Sequence, residues 1–172
     1  RRKSATRINA VRLNLLANGE DIPGTATAFH VLDAGPFHIA ACAEGSFDAL
    51  DRGVASFTLN AATYQGLPYL KLWLRLFNNT NADLKVSGLE LIFELPKPPT
   101  RLSVPGAALQ DGFTLSQLSE KSRTVDGSDL PADVPFFLAW EQGVIVVRHF
   151  RELFPKQVRA DGRRIILDLA AG

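Results

Sequence analysis

An all-β fold, built as an antiparallel two-sheet β-sandwich, is what this sequence predicts, and three observations point there. Apolar and polar residues alternate with period two, longest in Pro68-Tyr69-Leu70-Lys71-Leu72-Trp73-Leu74-Arg75-Leu76-Phe77. No segment holds a 3.6-residue period over about twelve residues. About ten short strand candidates are separated by Gly, Pro and Asn turn signals. A closed β-barrel is the alternative, and nothing resembles a parallel βαβ unit.

The chain of 172 residues, 46% hydrophobic and 22% charged, fits a single sandwich domain over 1–172 with an ample core. Its lack of Met suggests a piece of a larger multidomain protein. Lys+Arg 19 against Asp+Glu 18 gives no electrostatic reason to expect nucleic acid or an anionic membrane as partner. No apolar run approaches a membrane span and no signal peptide is visible. The single cysteine, Cys42, sits in the apolar run Ile39-Ala40-Ala41-Cys42-Ala43 and reads as a buried thiol.

Taken in order, Thr6 to Leu16 reads as a strand that ends at the Asn18-Gly19 turn signal. Ile22-Pro23-Gly24 punctuates the chain before a strand from Thr25 to Leu32. The Asp33-Ala34-Gly35-Pro36 turn joins it to a strand from Phe37 to Ala43, with His30 and His38 on either side of the hairpin. After a break at Glu44-Gly45, residues Phe47 to Gly53 read as a loop or single turn, and Val54 to Tyr64 as a strand of pleat-favouring residues. Gln65-Gly66-Leu67-Pro68 turns the chain into the long alternating strand, and Asn78 to Asp83 turns it out again.

Leu84 to Leu95 returns as a strand, which Pro96-Lys97-Pro98-Pro99 stops. Arg101 to Val104 and Gly112 to Ser119 are weaker strands, and Glu120 to Val134 reads as a long loop. Phe136 to Glu141, Gly143 to His149 and Arg164 to Leu169 complete the β content. Phe150 to Lys156 has the pattern of one helical turn that Pro155 helps to end.

The alternating strand puts Leu70, Leu72, Leu74 and Leu76 on one face, which reads as core. Tyr69, Lys71, Trp73, Arg75 and Phe77 fall on the other. Rings interleaved with cations either cover a second layer or stack on a sugar, which makes Tyr69, Trp73 and Arg75 the candidate ligand-binding residues. Metal chemistry is not expected: His30, His38 and His149 are scattered, there is no Cys pair, and Asp126-Gly127-Ser128-Asp129 reads as a solvated turn. No nucleophile elbow or phosphate loop is present, and no cofactor is implied. Glu90 and Glu94 lie four apart on one strand face, which reads as solvated. Asn78-Asn79-Thr80 matches a glycosylation acceptor pattern. The densest cationic cluster is Arg148, His149, Arg151 and Lys156 beside Phe150 and Phe154; it either anchors a turn or binds the carboxylate of an acidic sugar.

Three patches resemble the rhamnogalacturonan exolyase family that includes the YetA-like proteins. They are Val31 to Ala40 followed by Glu44-Gly45; Phe57 to Phe93 with its Gly66-Leu67-Pro68 turn and aromatic-cationic strand; and Val147 to Lys156 with Gly162 and a closing apolar strand. The resemblance implies the central sandwich of a carbohydrate-active protein, supersandwich-like, packing on an α/α-toroid domain or lining its cleft. It implies an oligosaccharide or polysaccharide partner and an extracellular or periplasmic setting. A lyase needs a cation for the uronate and a base for the α-proton, and Arg148, His149 and Lys156 are the candidates for those roles. The matched motifs fix no catalytic residue. A stand-alone sugar-binding module and a purely structural assembly domain are the other readings.

Overall fold

The computed structural model describes residues 8–49, 52–67, 70–131, 136–141, 143–147 and 156–170. It is all-β, with antiparallel pairing throughout two sheets and closure into a barrel in neither, as the alternation predicts. The strands of the described residues are β1 (Ala10–Ala17), β2 (Glu20–Ala34), β3 (His38–Ala49), β4 (Arg52–Tyr64), β5 (Leu70–Asn78), β6 (Val86–Glu94), β7 (Leu102–Val104), β8 (Ala107–Leu109), β9 (Thr114–Ser119), β10 (Ser122–Val125), β11 (Ser128–Leu130), β12 (Phe137–Trp140), β13 (Gly143–Val146), β14 (Lys156–Asp161) and β15 (Arg164–Asp168). The chain divides into two compact units, one of Arg1–Leu13 with Val86–Gly172 and one of Asn14–Lys85.

The first unit is the sandwich. Strands β11-β10-β9-β14-β15-β6 follow one another in its larger sheet, and β13-β12-β7-β8 form the smaller one. Cross-strand rows align Leu115, Val158, Leu167 and Leu91, then Ala160, Ile165 and Phe93, all of them buried. The smaller sheet contributes buried Leu102, Val104 and Leu138, and Phe136 lies just before β12. One end of this core is polar. Arg123 and Lys156, both buried, pair in register with Gln117. Arg123 donates to Gln117 Oε1 at 2.8 Å and to the Pro131 carbonyl at 2.9 Å, and its guanidinium stands over the Phe136 ring. A buried guanidinium is tolerated only with its donors occupied, so these partners tie β10 to the chain before β12.

Several expectations are corrected here. Residues Glu120 to Val134, read as a long loop, contain the β10–β11 hairpin, because Asp126 (φ 48°) and Gly127 (φ 81°) adopt the left-handed conformations of a tight hairpin turn. The Asp126 carboxylate accepts from the Thr114 amide at 2.8 Å, so this loop is a hairpin turn. Glu90 is buried, not solvated, and takes an ion pair from Arg159, while Glu94 pairs with Arg12 at 2.8 Å. Lys156, expected to close a helical turn over Phe150 to Lys156, instead opens β14, and the rest of that turn lies outside the described residues.

The second unit is a meander. The Asn18-Gly19 turn (φ 53° and 83°) joins β1 to β2, and β2, β3, β4 and β5 follow in antiparallel order. The strands are longer than predicted. Pro23 and Gly24 lie inside β2, because Asn14 of β1 pairs with Pro23 and β3 pairs from Gly24 onward. Glu44 and Gly45 lie inside β3 rather than breaking it, and the stretch read as a loop after Phe47 carries β3 on to Ala49 and β4 from Arg52. Gly45 is in the strand because it has no side chain: a Cβ there would stand 2.4 Å from the Phe57 ring and 2.2 Å from the Thr25 carbonyl oxygen. The Phe57 ring fills that space and packs on Phe47 at 5.2 Å.

The leucine face of β5 is not the closed core that its alternation predicts. Leu72, Leu74 and Leu76 are half-buried and Leu70 is 49% exposed. The same face is closed further along, where Phe57, Ala55 and Phe47 are buried, so its exposure belongs to the rows nearer the β4–β5 turn.

Gly45→Ala is expected to destabilise the protein by about 2 kcal/mol, the usual cost of forcing extra volume into a filled site, because one of the obstructing atoms is backbone and cannot rotate away. Urea denaturation followed by far-UV circular dichroism measures it; an unchanged midpoint would contradict the close Phe57 contact.

Candidate functional site

The site is built by register. Across β5, β4, β3 and β2, cross-strand partners share a face, and the pairs fall into rows. One face carries Leu70-Thr63-Ile39-Ala34, Leu72-Ala61-Ala41-Val31 and Leu74-Leu59-Ala43-Phe29. The opposite face carries Lys71-Ala62-Ala40-Asp33, Trp73-Asn60-Cys42-His30 and Arg75-Thr58-Glu44-Ala28, with the Tyr64-His38 pair beyond the first row.

Two bulges in β2 make that second face. The register shifts once between Ala26 and Ala28 and again between Val31 and Asp33. An added residue reverses the alternation beyond it. The first shift brings His30 to the polar face and sends Phe29 and Val31 to the leucine face. The second turns Asp33 to the polar face, where its carboxylate meets His38 Nδ1 at 2.8 Å. His38 in turn stacks on Tyr64, with ring centroids 4.7 Å apart.

The result is a platform with a small-residue floor. Ala62 and Cys42 are buried and Ala40, Asn60 and Thr58 half-buried between two flanks of longer side chains. On the β5 flank Trp73 is 41% exposed, the Lys71 ammonium stands 4.4 Å from its ring centroid, and Arg75 is exposed. On the β2–β3 flank are His30, whose Nε2 lies 3.9 Å from a Glu44 carboxylate oxygen, and the Asp33–His38 pair. Three strand spacings separate the backbones of β5 and β2, about 14 Å. Among the described residues neither Lys71 nor Arg75 has an ion-pair partner.

Of the residues singled out from sequence, Trp73 and Arg75 lie side by side on this platform. Tyr69, Arg148 and His149 lie outside the described residues. Lys156 is buried in the first unit beside Gln117, on the inner face of the sandwich. Sequence reasoning missed that Asn60, His30, Glu44 and the Asp33–His38–Tyr64 group share a sheet face with Trp73. Only the two bulges bring β2's members there, and bulges leave no reliable mark in a sequence. Among the described residues no group of three or more His, Cys, Asp or Glu is placed to hold a metal ion.

Chemically, the arrangement can bind. It offers an indole for stacking, amide and hydroxyl groups for hydrogen bonds, and two cations for a carboxylate. The His30–Glu44 pair and the cations stand on opposite flanks, so a base and a carboxylate clamp are not brought to one point. Comparison with family models, with curated proteins and with solved structures gives no match.

The hydrogen bond from His38 holds the Asp33 carboxyl below its ordinary value. A depressed carboxyl contributes stability above its unfolded pKa of about 3.9, and the contribution fades as pH falls through the folded value. Asp33→Asn should therefore lower the unfolding midpoint at neutral pH. The gap from the parent should close as the medium is acidified below about pH 4. Denaturant titrations of both proteins across pH measure it, and a gap that widens on acidification would contradict the pairing.

Proposed function

We propose that the polar face of the β2–β5 meander binds an acidic oligosaccharide, in a module of a carbohydrate-active protein of the polysaccharide-lyase kind. One observation carries this reading: Trp73 is open on a sheet face, flanked in its own strand by Lys71 and Arg75. A sugar ring presents an apolar C–H face to an indole and hydroxyls to amide and hydroxyl side chains. A uronate adds a carboxylate that an Arg fork matches bidentately. Asn60 and Thr58, directly opposite Trp73 and Arg75, supply the hydroxyl partners.

The resemblance to rhamnogalacturonan exolyases supports a pectic substrate. Separation of the cations from the His30–Glu44 pair supports binding over elimination on this face. In such a protein the leucine face, with Phe29 at 70% and Ile39 at 53% exposure, is the surface that a neighbouring helical domain would cover.

The test uses Trp140→Phe, which leaves Trp73 as the sole tryptophan of the two. Trp140 is a safe residue to change, because its buried Nε1 has no hydrogen-bond partner among the described residues. Titration with rhamnogalacturonan or galacturonan oligosaccharides should shift and protect the Trp73 fluorescence. Lys71→Ala or Arg75→Ala should weaken binding of acidic sugars by at least about tenfold, about 1.4 kcal/mol, and leave neutral sugars unaffected. A spectrum unchanged by every pectic fragment would overturn the proposal.

A further inference from the structure

We propose that β5 is a self-complementary edge, and that two copies of this chain pair antiparallel through it about a two-fold axis. β5 ends the strand order of its sheet, and among the described residues no strand pairs its outer side. Nine residues long, it contains no proline, glycine or bulge. Edge strands of this length and apolarity are normally shortened, bulged or covered, because their free N–H and C=O groups recruit another strand. The cations Lys71 and Arg75 could be such a guard, and the register decides whether they repel a second copy or receive it.

A two-fold axis normal to the sheet keeps leucines with leucines and the aromatic-cationic side chains together. Each register has one residue facing its own copy. With Trp73 at the centre, Lys71 would face Arg75 of the second copy; with Arg75 there, the two Arg75 would face each other. With Leu74 at the centre the whole strand overlaps. Leu74 then faces Leu74, Leu72 faces Leu76, Trp73 faces Arg75 and Lys71 faces Phe77, the last two pairs each occurring twice across the dyad. Directly opposed residues have Cβ atoms about 5 Å apart, within reach of cation–π contact, and like charges are left only as diagonal neighbours about 7–8 Å apart. With Leu72 at the centre, Arg75 faces beyond β5 and the overlap is shorter. Both the charge pattern and the length of overlap therefore select the Leu74 register, and the partner they select is a second copy of β5. The same pairing runs the two polar faces together into one.

The test is sedimentation equilibrium of the full chain over a wide concentration range. The parent should dimerise reversibly. Trp73→Arg, which puts Arg opposite Arg twice, should weaken the dimer by at least about tenfold. The double exchange Trp73→Arg with Arg75→Trp restores cation opposite ring and should recover most of it. Independently, Leu74→Cys should form an intermolecular disulfide on mild oxidation, since opposed Cα atoms about 5 Å apart suit the bond, whereas Leu70→Cys, facing Asn78, should not. Buried Cys42 does not interfere. A parent that is monomeric at every concentration overturns the proposal. So does a double exchange that gives no recovery, or Leu70→Cys cross-linking as readily as Leu74→Cys. Sugar binding by monomeric protein would leave the platform standing without the pairing, and pairing without sugar binding would do the reverse.

Discussion

Everything distinctive in this protein depends on the cross-strand register of β2 to β5. In a single sheet layer the two faces are separated by nothing except the alternation of side chains, and a slip of one residue would exchange them. The leucines of β5 would then stand where Trp73 and the cations stand. Register is held by three local devices: the Asn18-Gly19 turn at the start of the meander, the Phe57 ring over Gly45 in its middle, and the two bulges of β2. The bulges are the most consequential, because each adds a residue that reverses the alternation beyond it. His30 owes its place at the far end of the Trp73 row to the first of them, and Asp33 its place beside His38 to the second.

The sandwich unit solves a different problem. Its core rows are apolar from Leu91 across to Leu115, but one end is occupied by Gln117 between Arg123 and Lys156. Burying a guanidinium is costly unless its donors are met, and here a side-chain amide, a backbone carbonyl and an aromatic face meet it. Such an end-group specifies pairing: β9 and β10 cannot slide without stranding Arg123. Among the described residues the meander has no counterpart to this row; its register is held by turns and bulges.

Much of the fold was legible in the sequence, and the reasons for the failures are physical. Alternation located β4, β5, β6 and β15, and the Asn-Gly signal located the first hairpin. Glycine misled in both directions. Gly45 reads as a break in the sequence, yet it is a strand residue whose missing Cβ makes room for Phe57. Asp126-Gly127 reads as part of a long loop, yet it is the turn that makes a hairpin of it. Period two also predicted the right faces for β5 but the wrong environment for its leucines, because burial depends on a second layer that alternation within one strand cannot reveal. At the site, Trp73, Arg75 and their shared face were legible; the histidine and acid across the sheet were not, since their facing depends on bulges.

The layer has an apolar side and an aromatic-cationic side, and under the proposed reading the second of these binds the sugar. The division of chemistry between the two sides of the sheet is what the register sets. The most direct measurement is amide chemical-shift mapping of the isotopically labelled full chain titrated with a galacturonate oligosaccharide. Shifts concentrated in alternate residues, Lys71, Trp73 and Arg75 with Thr58, Asn60, Glu44 and His30, while Leu70, Leu72 and Leu74 respond less, are the result expected. Shifts confined to the leucine face or to the sandwich unit, or none at saturating sugar, would contradict it.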